Sequence, residues 1–252
     1  AIFTLPCLPG LTETGNLLMG NSAKSGAPVE NQMLAALPKK EYHRLLPKLE
    51  LVTLTFADVL YEPDEPIHYV YFPNSGMISL LSSVNERATT AVNIVGKDGM
   101  AGINVFLEMD ISSNRAIVQV AGEALRMEAS VLQRESQKGP LERLLRRYTQ
   151  ALLTQAHQAT ICNHFHKVNE RFASWLLFTH DQAAVDEFPM THQFMSGMMG
   201  VRREEISKAA AVFQRKKLIR YTPGHIRILN RAGLDAICCK CYSIIKAKSV
   251  TY

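Results

Sequence analysis

MTHQFMSGMMGVRREEISKAAAVFQRKKLI, running from Met190 to Ile219, is the stretch that decides the fold. It reads as a helix, a tight turn and a second helix. Thr191 is placed to cap the first helix, because a Thr hydroxyl accepts one of the orphan backbone N–H groups there. Phe194, Met195, Met198 and Met199 supply that helix's apolar side. Gly200 stands where the helix must stop and the chain must turn, which needs the left-handed conformation that glycine enters at low cost. The second helix is expected over about 202–217. Ile206, Ala210, Phe213 and Lys217 share one side of it, the lysine as a frayed end. Glu204, Ser207, Lys208 and Ala211 form the opposite stripe, with Arg203 at its edge. An apolar back with a short, polar, partly basic front suits insertion into a DNA major groove. The same spacing also describes an amphipathic hairpin with a solvated charged face, so spacing alone leaves both readings open.

Charge separates them. Residues 1–190 carry 16 Lys+Arg against 20 Asp+Glu, whereas residues 191–252 carry 12 against 3. The net +5 of the whole chain therefore hides a strongly basic C-terminal quarter on an acidic body. A basic patch around a helix pair is the footprint expected of a protein that meets a line of phosphates. The next segment, LIRYTPGHIRILN, reads as two short strands around Pro223-Gly224, a wing whose Arg220, His225 and Arg227 are placed to reach phosphates.

A chain of 252 residues suits two compact domains, and 47% apolar content supports real cores. No apolar run approaches the ~20 residues of a membrane span. The first residues, AIFTLPCLPGLTETG, lack the basic start of a signal peptide. Cys7, Cys162, Cys238, Cys239 and Cys241 make no secreted disulfide framework, so a reducing cytoplasm is expected. Residues 1–30 read as a loosely packed arm. Residues 31–37 and 38–46 read as two short helices, Pro38 opening the second. From Leu49 to about Met127 short β-rich pieces alternate with Gly and Pro punctuation, which predicts a small barrel or jelly roll able to hold a small ligand. After Gly139-Pro140, a helix of some six turns is expected to about Cys162. Its stripe of Leu141, Leu144, Leu145, Tyr148, Leu152, Gln155 and Ala159 is expected to meet a second copy of the chain, with packing on its own barrel as the alternative. One more amphipathic helix, Val168 to His180, precedes the reader, and RAGLDAICCKCY reads as a single closing helix.

These residues resemble the Crp/Fnr family of bacterial transcription regulators over about residues 34–242. The most specific part is T-x-Q-x-x-x-x-x-x-G-x-x-R-E-x-x-S-K, Thr191 to Lys208, followed by LI-x-Y-x-x-G from Leu218 to Gly224. DVLYEPDEP (Asp58–Pro66), YVYFPNSG (Tyr69–Gly76) and ERFASWLL (Glu170–Leu177) match in the right order. The resemblance implies an α+β chain. A β-roll of the cyclic-nucleotide-binding-like kind (31–138) is followed by a long dimerisation helix (139–166) and a winged helix-turn-helix (167–252). It implies a homodimer on double-stranded, near-palindromic DNA, with RNA polymerase as a further possible partner and no membrane. By the same resemblance Arg203, Glu204 and Lys208 fall on base-reading positions, and Thr191, His192 and Gln193 fall where the family touches phosphate. Arg203 suits guanine and Glu204 suits cytosine N4. Ser207 shares their stripe. Arg202 stands where small residues are common in the family and adds a charge beside them.

The effector does not carry over. Family members that bind cyclic nucleotides carry G-E-x-x-L…R-[ST]-A, where the Arg offsets the phosphate and the Glu holds the ribose. Here the run is G-I-N-V-F-L…N-R-A, Gly102 to Ala116. Ile103 replaces the Glu, Asn114 replaces the Arg, and Arg115 is one residue off, which turns it to the other face of a strand. Cyclic AMP is therefore not expected, no cofactor is identified, and the effector site stays unassigned.

No metal site is expected either: His157, His164 and His166, on and after the long helix, read as satisfied or solvated histidines rather than a ligand set. Cys238, Cys239 and Cys241 would crowd three thiols on one short helix, where an ion needs about four ligands in reach. The family's oxygen sensors place their cluster cysteines near the N-terminus, and only Cys7 is there. No Gly-rich phosphate loop, HExxH or nucleophile elbow appears, so catalysis is not expected. The competing reading is a ligand-binding sensor whose basic C-terminal region contacts protein or membrane. Steep salt dependence of duplex binding separates the two.

Overall fold

The structure is a computed structural model that describes residues 29–85, 88–183 and 185–248. The expected arm over 1–30 falls almost wholly outside the described residues, as does Cys7. The described chain opens with α1 (Gln32–Ala35), whose N-cap Asn31 accepts from Leu34 N–H, and α2 (Lys39–Leu45), which follows Pro38. Asn31 is fully buried and its side-chain amide donates to the carbonyls of Pro73 and Gly99, which ties this entry to the roll.

The roll follows as β1 (Glu50–Leu54), β2 (Val59–Tyr61), β3 (Tyr69–Pro73), β4 (Met77–Asn85), β5 (Ala88–Val95), α3 (Ile103–Phe106), β6 (Arg115–Val120) and β7 (Gly122–Glu128). Two antiparallel sheets form, in the orders β1-β7-β3 and β2-β6-β4-β5. Their inward residues, among them Val70, Phe72, Ile78, Leu80, Val118 and Leu125, close one core. The short β2 and α3 are additions to the expected elements.

A further short helix, α4 (Ala129–Glu135), leads to α5 (Pro140–Phe165), 26 residues that span about 39 Å at 1.5 Å per residue. Gly139 enters α5 at a φ of 101°, Pro140 occupies its first turn and Glu142 lies near its positive end. Here the structure corrects an expectation. Leu141, Leu144, Leu145, Tyr148 and Leu152 are buried in the roll's own core. Gln155 Oε1 accepts from Ile94 N–H of β5, and Ala159 lines a cleft beside Ile94. The stripe is thus covered by its own chain. Helical periodicity identifies a buried face without saying what buries it. The face left over carries Leu153, Ile161 and Phe165, which are 50%, 46% and 73% exposed.

The C-terminal part holds α6 (Val168–Ala183), β8 (Glu187–Pro189), α7 (His192–Met199), α8 (Arg203–Arg215), β9 (Ile219–Thr222), β10 (His225–Ile228), α9 (Arg231–Asp235) and α10 (Lys240–Lys248). The wing is a three-stranded sheet in the order β8-β10-β9, one strand more than expected. The expected closing helix is broken: α9 stops at Asp235, Cys238 and Cys239 lie in the connection, and Cys241 sits in the first turn of α10. Asp181 of α6 holds this end. Its carboxylate accepts from Arg231 at 2.8 Å, from the Tyr242 hydroxyl at 2.5 Å and from Lys246 at 3.0 Å. Among the described residues no helix is long and apolar enough to cross a membrane.

Candidate nucleic-acid interface

The reader is built on buried side chains. Ile206, Ala209, Ala210 and Phe213 of α8 are all but fully buried, against Met195, Met198 and Met199 of α7 and Phe172 of α6. Phe213 stacks on Phe172 with ring centroids 5.4 Å apart and planes 4° from parallel. The turn is fixed by Gly200 at a φ of 62°, and Val201 N–H returns to the Ser196 carbonyl at 3.1 Å, which satisfies the end of α7. Thr191 does cap α7, its hydroxyl accepting from Phe194 N–H at 3.1 Å. Arg202 is the N-cap of α8, and Glu205 reaches back to accept from its N–H at 3.2 Å, one half of a capping box. Lys217 lies past the helix end, at a φ of 55°, rather than on its buried side.

This packing leaves Arg202, Arg203, Glu204, Lys208 and Ala211 exposed, with Ser207 half-buried among them. Gln193 is exposed at the start of α7. On the wing, Arg220 of β9 and Arg227 of β10 are direct cross-strand partners and both exposed. Two like charges placed opposite each other weaken a strand pair, and a phosphate between them would relieve that cost. Glu187 of β8 faces Arg227 from its other side, and His225 is exposed at the wing's tip.

His192 departs from its expected phosphate role. Its ring stacks on Tyr221 of the wing, centroids 4.1 Å apart, and its Nδ1 lies 2.9 Å from Ser207 Oγ. Ser207 Oγ also donates to the Arg203 carbonyl at 3.0 Å. Both bonds are satisfied when Nδ1–H donates to Ser207, which leaves Nε2 unprotonated, and Nε2 is enclosed with no partner. Burial first, and then the Arg203 charge, push the His192 pKa below its ordinary value. His192 is a neutral strut joining α7, α8 and the wing, and Ser207's hydroxyl is committed to it.

Residues 170–237 match the family model of the Crp-like helix-turn-helix domain. The chain has the Crp/Fnr fold and carries that family's helix-turn-helix domain. The structure of FixK2 from Bradyrhizobium japonicum superposes with a TM-score of 0.64 at 17% identity, covering 76% of this chain and 98% of that one. A putative Crp/Fnr-family transcriptional regulator from Eubacterium rectale gives 0.61 at 16% identity, covering 82% and 97%. The c-di-GMP-responsive global regulator CLP of Xanthomonas campestris gives 0.61 at 14% identity, covering 76% and 99%. No curated protein sequence matches the chain.

Within this Crp/Fnr fold the segment corresponding to the nucleotide cassette is occupied differently. Gly102, at a φ of 92°, leads into α3, and Ile103 is buried. The Asn114 amide lies 3.5 Å from the Leu81 carbonyl. Arg115 points its Nε to Glu62 at 2.6 Å, so its charge is already paired.

Proposed function

We propose that this chain is a homodimeric, sequence-specific DNA-binding transcription regulator whose α8 enters the major groove. The supporting observation is the exposed stripe of Arg203, Glu204 and Lys208, held on an apolar back inside a segment with 12 basic and 3 acidic residues. Arg203, Glu204, Lys208 and Arg202 read base edges, with Ser207 positioning the stripe. Arg220, His225, Arg227, Gln193 and the capped first turn at Thr191 meet phosphates. The working division is an arm (1–30), a roll (31–138), a long helix (139–166) and a reader (167–252). Two readers in a dimer meet successive major-groove faces of a near-palindromic operator, ~34 Å apart. The site of action is the bacterial cytoplasm, with RNA polymerase as the natural neighbour of the bound dimer. Binding to a randomised duplex library at two salt concentrations tests this. A selected near-palindrome with a steep salt slope is expected, and weak binding without sequence selection would reject it.

The roll does not take cyclic AMP on this reading. Asn114 stands in place of the family's arginine, and the nearest candidate, Arg115, is paired with Glu62. A phosphodiester in the roll would lack its charge-assisted partner. Titration calorimetry should show no binding in the micromolar range, and a micromolar dissociation constant would overturn the assignment.

A further inference from the structure

Four side chains that bind soft metal ions meet where α5, α6 and α10 join. Ligand atoms of Cys162, His166, Cys239 and Cys241 all lie within 4.8 Å of one another. Cys162 Sγ is 3.4 Å from Cys239 Sγ, and Cys241 Sγ is 3.5 Å from His166 Nδ1. Cys162 is in the last turn of α5, and His166 is the residue that ends it, four positions on and therefore on the same side. Cys239 and Cys241 flank the start of α10. We propose that these four residues form a Cys3His site for one zinc ion.

The geometry favours a single ion. Zinc bonds of about 2.3 Å to sulfur and about 2.0 Å to nitrogen set tetrahedral ligand atoms roughly 3.3–3.8 Å apart. Both measured edges fall in that range, and the others reach it by closing about 1 Å at most. A cluster of several irons needs its thiolates spread around a wider body than this. Four protein ligands leave no open position, which is the pattern of a structural site rather than a catalytic one. On binding, the three thiols give their protons to water and His166 binds as neutral imidazole, with no change of oxidation state. The surroundings suit thiolates. Gln158 Nε2 donates to Cys241 Sγ at 3.1 Å, and Ser174 Oγ is 3.2 Å from Cys239 Sγ. Arg171 lines one cleft with Cys162, Ser174 and Cys241, where its charge offsets the net negative charge of three thiolates on a divalent ion. Cys238 is not part of the set, although it is next in sequence: its Sγ turns to the Asp235 carbonyl at 3.2 Å. The ion pins the start of α10 to the end of the long helix, at its junction with the reader.

Elemental analysis of untagged protein after dialysis should give one zinc per chain. Cys162→Ser and Cys241→Ser should lose most of it, and Cys238→Ser should keep it. Metal-free wild-type protein should take up one equivalent of Co2+ with the visible bands of tetrahedral thiolate ligation, and zinc should displace them. This titration stands even where a serine variant fails to fold. Absence of stoichiometric zinc together with no Co2+ uptake would overturn the proposal. Equal zinc in Cys162→Ser, iron with acid-labile sulfide, or a Cys162–Cys239 disulfide in place of metal would overturn it too.

Discussion

At the scale of the residue, the proposed function gives Arg203 and Arg220 different jobs that variants can separate. Arg203 lies in the first turn of α8 and is exposed, where docked recognition helices present side chains to base edges. Arg203→Ala should cost ~1–3 kcal/mol per half-site and flatten the preference at one base position. Arg220 is on the wing beside Arg227. Arg220→Ala should weaken all sequences alike and make the salt slope shallower by about one. The randomised library reads both, and an Arg203→Ala protein that keeps its full base preference would make Arg203 a phosphate clamp and Arg202 the better reader. His192 gives a different signal. Its pKa is held below 6.5 by burial and by Arg203, so the unfolded chain takes up the proton more readily. Its contribution is therefore complete above 6.5 and is lost as pH falls below it. Thermal unfolding followed downward from about pH 7.5 should show this loss, and His192→Phe, which keeps an aromatic ring against Tyr221, should remove that part of the slope. An unchanged slope in the variant would show that other groups dominate. The family resemblance places His192 at a phosphate contact; only the fold puts Tyr221 and Ser207 on its two sides.

At the scale of the element, α5 has two faces with opposite consequences. Leu145 is fully buried in the roll, so Leu145→Glu should unfold the roll rather than split a dimer. Leu153, Ile161 and Phe165 lie on the face that its own chain leaves uncovered, and Ile161 and Phe165 are one turn apart. A second copy of α5 is the natural cover for such a face, because an apolar helix stripe in water is stabilised by burial. Leu153→Glu combined with Phe165→Glu should give folded monomers with little operator affinity, seen by analytical ultracentrifugation. A double variant that stays dimeric would place the contact elsewhere. The helix itself was legible in the sequence: Gly139-Pro140 marks its start and its apolar repeat marks a buried side. Which partner buries that side was not legible, since the roll and a second chain present the same kind of surface to a periodicity. The cysteine set was hidden for a related reason. Cys162 comes from the last turn of α5, 77 residues before Cys239, and His166 from just past its end; the sequence reads the break between α9 and α10, which presents Cys239 and Cys241 to them, as continuous helix. The helix pair, the glycine turn and the Thr191 cap were legible because each is set within a few residues by local chemistry.

At the scale of the whole molecule, the reader is not a bead on a string. Met77, Leu81, Ile117 and Val120 of the roll share one buried cluster with Phe172, Trp175, Leu176 and Met199. Polar contacts cross the same boundary: Thr90 Oγ1 donates to the Met198 carbonyl at 3.2 Å, and Gln182 donates to Asp98 at 3.1 Å. Phe56 of the roll meets Phe194 of α7 with ring centroids 5.4 Å apart. Burial pushes the Asp98 pKa up, and the Gln182 bond from across this boundary is the largest of the contacts that pull it back down. Parts that share a core lose it together, and roll and reader are then expected to melt in one cooperative step. Trp175 is the only tryptophan and sits on the reader side of the shared cluster, which makes its emission a local probe. Ile117 is on a roll strand, and Ile117→Ala removes buried methyl groups at a cost of about 2–4 kcal/mol. In that variant the Trp175 transition should move to lower temperature by the same amount as the loss of sheet signal in far-ultraviolet circular dichroism. If the sheet signal moves and the Trp175 transition stays, the two parts unfold independently, and a signal in the roll would have to reach α8 through α5 alone.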